Sequence, residues 1–253
     1  MEKHDSDSTQ TWKMAVNQFS DLTQEEFVST YLGEKNSATP QLKEEAVNAG
    51  FAGEIDWRNK GIITAVKNQG KCGSCWAFAA TAAHEAYQVQ THGRPITISL
   101  SEQQLVDCST ASPYGNTGCN GGFGVRALEY IKDFGQTTTQ EYPYMAINQD
   151  CKTPSGSFRI FGVTEITGCE EIETVIQRRP LAVRVDATNW HTYGSGVFDN
   201  CATSLNHAVF MVGSSDSAWT IKNSWGPTWG ENGFIRLKKG NTCGVCFGPS
   251  FPI

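Results

Sequence analysis

No cysteine occurs in the first 71 residues of this chain, and nine then fall between Cys72 and Cys246. Long apolar runs are missing too. None approaches the ~18 residues a membrane span needs, so no membrane association is expected. Positive charge is scarce: 20 Lys and Arg stand against 26 Asp and Glu, and a net charge of −6 argues against a nucleic-acid partner. No Asn-x-Ser/Thr sequon is present, which leaves N-glycan-dependent sorting without an acceptor. Residues 1–11 lack the apolar core of a signal peptide. Repeats and low-complexity tracts are absent. No cluster with metal-ligand spacing stands out, so neither a metal nor a cofactor is expected.

What is present divides unevenly. Residues 1–51 carry four Lys/Arg against nine Asp/Glu, so −5 of the net charge sits there and −1 in the remainder. Nine cysteines indicate an oxidising compartment (lysosomal, vacuolar or secreted), and the odd count leaves one thiol that needs a reason. Residues 12–33 read as a small helical unit: Thr23 and Glu26 form a capping-box pattern, Phe27/Tyr31 and Val28/Leu32 are i, i+4 pairs, and Gly33 stops the helix. Residues 34–50 are polar and aperiodic, an extended linker, with a composition break near Gly50. Helices are expected from Ser74 to His92 with Gly93 as C′, from Ser101 with Gln104 as capping partner, and over Gly124–Phe134. Beyond Cys151 the segments 161–166, 181–185, 208–212, 219–222 and 234–237 read as strands, interrupted by a helix at Glu170–Gln177. A helical half followed by a β half is an α+β arrangement of two lobes, with about 60–160 in the first and 161–253 in the second.

One constellation carries chemistry. Gln69-Gly-Lys-Cys72-Gly-Ser-Cys75-Trp76 places Cys75 in the first turn of the Ala-rich helix, where the unpaired N–H groups favour thiolate over thiol. A thiolate nucleophile needs a base. Of five histidines, His4 lies in the polar tail, His84 and His92 on the helix behind Cys75, and His191 in a loop. His207 opens an apolar strand 132 residues after Cys75. Asn223, sixteen residues further on, has a carbonyl able to fix the tautomer of His207, and Trp225 and Trp229 can shield that bond.

With Asp56-Trp-Arg, Ser101-Glu-Gln, Cys119-Asn-Gly-Gly, Asn206-His207-Ala and Asn223-Ser-Trp-Gly through Trp229-Gly-Glu-Asn-Gly added, most of the chain resembles the papain-like, cathepsin L-like cysteine peptidases. Asn17-x-Phe19-x-Asp21 and Glu25-Glu-Phe27 resemble the later half of that family's inhibitory prosegment. The resemblance implies a two-lobe fold, a helical lobe and a β-barrel-like lobe with the active site between them. It implies a partial prosegment and linker over 1–51 and a peptidase domain over 52–253, monomeric, with protein and peptide substrates and its own prosegment as inhibitor. Cys75 would be the nucleophile and His207 the acid/base, resting as a thiolate–imidazolium pair. Asn223 would orient His207, and Gln69 with the Cys75 N–H would form the oxyanion hole. Gly73, Gly121 and Gly122 would offer backbone to an extended substrate, and Trp225 would flank it. Without a histidine-pair insertion between Cys119 and Cys151, endopeptidase action is favoured. The family pairs Cys72–Cys119, Cys108–Cys151 and Cys201–Cys243, which leaves Cys169–Cys246 as an added fourth bridge and Cys75 free. The pocket for the residue second from the scissile bond on the acyl side would take Phe123, Gly124, Arg184, Leu205, Ala208 and Gly248. Most relatives carry a small apolar residue where Arg184 stands. Its head either turns to solvent or reaches the pocket mouth, where Gly124 and Gly248 leave room and acidic side chains would be tolerated.

Blander readings exist for each residue. The Cys72/Cys75 and Cys243/Cys246 pairs could serve zinc or redox chemistry, but about 167 residues separate them, too far for a compact zinc module. His207 alone would read as a structural histidine, and Gly121–Gly122 as a turn. The alternative for the whole chain is an inactive binding protein on the same fold, yet all four catalytic positions are filled.

Overall fold

The computed structural model describes residues 1–35, 53–201 and 204–253. The linker expected over 34–50, apart from Glu34 and Lys35, and the boundary at 51/52 lie outside them. The chain runs α1 (Glu2–Asp5), β1 (Trp12–Met14), α2 (Gln24–Tyr31), β2 (Ile55–Asp56), α3 (Cys75–His92), α4 (Glu102–Cys108) and α5 (Gly124–Phe134). It continues with β3 (Val163–Glu165), α6 (Cys169–Ile176), β4 (Leu181–Val185), β5 (Tyr193–Phe198), β6 (His207–Ser214), β7 (Ala218–Lys222), β8 (Phe234–Lys238) and β9 (Ser250–Pro252). The fold is α+β, with most of its helices before most of its strands.

Local signals account for most of the helices. Thr23 and Glu26 exchange both bonds of a capping box at the start of α2. The Ser101 side chain accepts from the Gln104 N–H to cap α4, and α3 ends on Gly93 in the left-handed region at φ 60°. The helical unit expected over 12–33 is only partly helical. Trp12–Met14 forms a strand against β5, because Trp12 is drawn under Phe198, with ring centroids 4.7 Å apart. Gly33 does not stop α2 by a left-handed turn either; Leu32 caps it in extended geometry. A Cβ on Gly33 would instead fall 1.9 Å from the Gly73 carbonyl oxygen, so the glycine serves close approach of two backbones.

The strands form one sheet in the order β1-β5-β8-β7-β6-β4-β9-β3, antiparallel except for β5–β8, and β2 pairs with β6. β5 was not foreseen, since its glycines argue against a strand. They are required there: a Cβ on Gly196 would lie 2.5 Å from the Thr11 oxygen as β1 docks beside it.

The core lies where α3 packs on β6. Ala77, Ala79, Ala80, Ala83 and Ala86 of α3 and every residue of β6 are buried. Small alanines allow the helix to approach the sheet closely. The first residue of α3, Cys75, and the first of β6, His207, therefore meet along one seam. Behind them the two halves share buried polar groups. Lys222 of β7 donates to the Thr64 hydroxyl, Thr64 donates to Glu85, and Lys67 lies 2.7 Å from both Glu85 and Glu102. Four disulfides, Cys72–Cys119, Cys108–Cys151, Cys169–Cys246 and Cys201–Cys243, leave Cys75 as the free thiol.

Candidate active site

Cys75 occupies the first position of α3 and is fully buried. Burial pushes its thiol up to about 12, and the nearby Glu34 charge adds to the rise. The backbone N–H groups of Ala208, Gly33 and Trp76 act in the opposite sense. Ala208 follows His207 directly, so the start of β6 borders the Cys75 sulfur.

His207 Nε2 donates to Asn223 Oδ1 at 2.8 Å, which assigns the N–H to Nε2 in the neutral ring. Nδ1 is buried and has no hydrogen-bond partner among the described residues. Trp225 stacks on the imidazole at 4.7 Å between centroids, and Trp190 meets it edge-on at 6.0 Å. Burial lowers His207 to about 4, against the supporting bond from Asn223. In this covered arrangement the thiol and the imidazole are therefore both held neutral, because a thiolate–imidazolium pair is costly without water. His84, by contrast, is a structural histidine, bonded to Gln136 and Gln88 behind the site.

Gln69 is wholly buried. Its Oε1 accepts from the Ser224 hydroxyl at 2.6 Å, which turns its NH2 toward Cys72 O at 2.9 Å and Tyr31 O at 2.8 Å. The Gln69 amide thus already holds a carbonyl oxygen of the N-terminal segment. Tyr144, which carries no sequence signal, braces the loop by donating to Gln69 O and bonding the Ser74 hydroxyl.

Residues 31–35 pass over the site as a strap, extended from Leu32 onward where α2 ends. Gly122 N donates to Gly33 O and Gly122 O accepts from Lys35 N, both at 2.9 Å, while Glu34 N donates to Asn206 O at 3.1 Å. A Cβ on Gly121 would fall 2.5 Å from Gly33 O, and Gly73 N is tied to Cys119 O at 2.9 Å. The strap is anchored by aromatic rings: Phe19 and Phe27 both meet Trp225 edge-on, at 5.3 and 5.2 Å. The indole that shields His207 is thus also the anchor for the N-terminal segment.

Glu34 drops its side chain into a cavity lined by Ala79, Gly124, Val125, Ala182, Arg184, Ala208, Gly248 and Glu165. Gly124, Arg184, Ala208 and Gly248 were expected here from the sequence. Phe123 and Leu205 are not brought to this wall: Phe123 lies under the Arg126 guanidinium at 4.0 Å, and Leu205 packs near Gly244. Glu165 was missed, since it reaches the cavity only because β3 pairs with the C-terminal β9.

Residues 51–253 match the family model described as papain family cysteine protease. Over 98% of this chain and 80% of its own length, Cathepsin L 2 of Paramecium tetraurelia is 46% identical to it. Digestive cysteine proteinase 3 of Homarus americanus is 41% identical over 96% and 80%. Among solved structures, a recombinant stem bromelain precursor superposes with TM-score 0.87 at 35% identity, covering 99% of this chain and 86% of the other. Digestive procathepsin L 3 of the Tenebrio molitor larval midgut gives TM-score 0.85 at 35% identity over the same shares. The chain belongs to the papain family of cysteine proteases. It is a cathepsin L-like cysteine endopeptidase that carries a propeptide, and no finding favours the inactive alternative.

Proposed function

We propose that Cys75 is the nucleophile of this endopeptidase, His207 its acid and base, Asn223 the group that orients His207, and Gln69 an oxyanion donor. The observation that carries this is the Gln69 amide, which donates to the Tyr31 carbonyl as it would to a substrate oxyanion. In the uncovered cleft water and the α3 N-terminus favour the thiolate–imidazolium pair. The Cys75 sulfur attacks the scissile carbonyl carbon, and the electron pair moves to oxygen, which accepts from Gln69 and the Cys75 N–H. Collapse breaks the C–N bond as His207 gives its proton to the departing amine. Water, deprotonated by His207, then attacks the thioester and releases the acid and the thiol.

The segment 1–51 acts on this reading as a prosegment that inhibits by occupying the groove, and the peptidase domain spans 52–253 as a monomer. Four disulfides favour action in an oxidising compartment, lysosomal, vacuolar or outside the cell. No described helix is long and apolar enough to cross a membrane. The test is cleavage of a peptide library before and after removal of the segment, with Cys75→Ser as control. Activity should appear on removal and be lost in the variant; cleavage by Cys75→Ser at the wild-type rate would overturn the assignment.

A further inference from the structure

We propose that Tyr144 is a positioning residue for the oxyanion hole, its hydroxyl fixing the spacing between the Gln69 amide and the Cys75 N–H. This rests on the reading of Gln69 as an oxyanion donor.

The two donors ride on different parts of the molecule. Gln69 is fastened to the β half: its N–H donates to Ser224 O at 2.8 Å, and its Oε1 accepts from the Ser224 hydroxyl at 2.6 Å. The Cys75 N–H belongs to the Ser74–Cys75 peptide unit at the start of α3, in the helical half. Between them runs a loop with glycines at 70 and 73. The Cys72–Cys119 disulfide and the bond from Gly73 N to Cys119 O pin the middle of that loop. Tyr144 ties its ends. Its hydroxyl donates to Gln69 O at 2.7 Å. A phenol has one proton, so the 2.6 Å bond to Ser74 runs from the Ser74 hydroxyl to the Tyr144 oxygen. Two hydrogen bonds in series thus join the residue before the nucleophile to the main chain of Gln69.

Ser74 gives up a local bond to make this connection. It stands at the N-cap of α3, where a serine hydroxyl ordinarily accepts from a first-turn N–H, yet its side chain makes no capping bond. The hydroxyl turns to Tyr144 instead, and the Trp76 N–H acts on the Cys75 sulfur. Tyr144 is itself held firmly. Its ring meets Phe78 of α3 edge-on at 4.9 Å. Gln103 of α4 grips the neighbouring chain, accepting from Met145 N and donating to Ile147 O, both at 2.8 Å. Burial pushes the phenol up, and the Glu102 and Cys75 charges add to the rise against the Ser74 bond, so the hydroxyl keeps its proton and stays a donor. Without that hydroxyl Gln69 would follow Ser224 and the β half, while Cys75 would follow α3. Oxyanion donors act at about 2.7–3.1 Å from the developing charge, a tolerance that a small relative shift of the two halves exceeds.

In the experiment the full chain is folded intact, residues 1–35 are released by limited proteolysis between 36 and 52, and the processed enzyme is assayed on one fluorogenic peptide amide. Tyr144→Phe keeps the ring on Phe78 and removes only the hydroxyl. It should lower kcat about ten-fold, a fraction of what an ångström of misplacement costs, with KM unchanged because the donors act on the transition state. Iodoacetamide alkylates Cys75 without forming an oxyanion, so its rate should stay within about two-fold of wild type, whereas a general loosening of the site would change it as well. In the Gln69→Ala background the same hydroxyl should matter by less than about two-fold in kcat, because the donor it positions is gone. Should Tyr144→Phe not fold, Ser74→Ala breaks the chain of bonds at its other end and is read by the same criteria. If Gln69→Ala loses activity while Tyr144→Phe keeps the wild-type kcat, or loses as much with Gln69 absent as with it present, the positioning proposal is overturned and the oxyanion reading of Gln69 stands. If Gln69→Ala itself keeps the wild-type kcat, the oxyanion reading fails and takes the proposal with it.

Discussion

Burial opposes charge on both Cys75 and His207, and residues 31–35 reach Cys75 through the Gly33 N–H. Iodoacetamide should therefore label Cys75 slowly in the intact chain and at least about a hundred-fold faster once 1–35 is released, a gap of a few kcal/mol in the cost of forming the thiolate. Equal rates would mean that the strap does not control ionisation. On the proposed mechanism Gln69 combines two duties. Gln69→Ala should cut kcat by about 10²-fold through loss of one oxyanion donor. It should also lower stability by about 1–3 kcal/mol, because the buried Ser224 hydroxyl loses its acceptor. Kinetics paired with thermal melts of the same sample separate the two effects. Glu34 supplies a pH dependence. Burial raises its docked carboxyl to about 8, opposed by the Arg184 charge and the Gly124 N–H and reinforced by Glu165. The docked state thus binds a proton more tightly than the released one. Its contribution to docking is complete below the free value near 4.5 and is lost as pH rises through 8. Protection of Cys75 from alkylation, taken as the ratio of intact to processed chain, should weaken from pH 5 to 8 and become flatter in Glu34→Gln.

Among the elements, those with strong local chemistry were legible. α5 runs over the expected Gly124–Phe134, α3 ends at Gly93, and the Thr23–Glu26 box opens α2, each through a cap or a period that operates within one turn. β1 and β5 were not legible, because β1 is extended only against β5, and the glycines of β5 become a strand only between β1 and β8. The strap shows the same dependence: Gly33 is explained by Gly73, 40 positions later in the chain. Gly33→Ala places a methyl group against backbone that has no room to yield, so the strap should lift while α2 remains folded. Cys75 in that variant should be labelled nearly as fast as in the processed enzyme. Labelling as slow as in the unaltered intact chain would show that the backbone there accommodates the methyl group.

At the scale of the whole molecule, each half carries its own covalent and ionic ties, and the two halves meet at the α3–β6 seam and through the Lys222–Thr64 and Ser224–Gln69 hydrogen bonds. Cys169–Cys246 joins positions 77 residues apart and borders the loop that ends at Gly248. Replacing both cysteines with serine should cost about 2–4 kcal/mol, read as a lower denaturant midpoint. Lys67→Met should cost about 3–5 kcal/mol, because Glu85 and Glu102 would be left buried beside each other without their cation. The sequence by itself determined the α+β order, the family and the four catalytic candidates. Helix caps and strand alternation act over a few residues, and a nucleophile, a base and their partner can be recognised by type and spacing. It left the direction of the Arg184 head open, missed Glu165, and admitted Phe123 and Leu205 to the wrong wall. Those matters were decided by tertiary structure. A cavity wall is assembled from β3, β4, β6 and the Gly248 loop, and which side chains face it depends on strand register and on clearances of a few tenths of an ångström that no local pattern encodes.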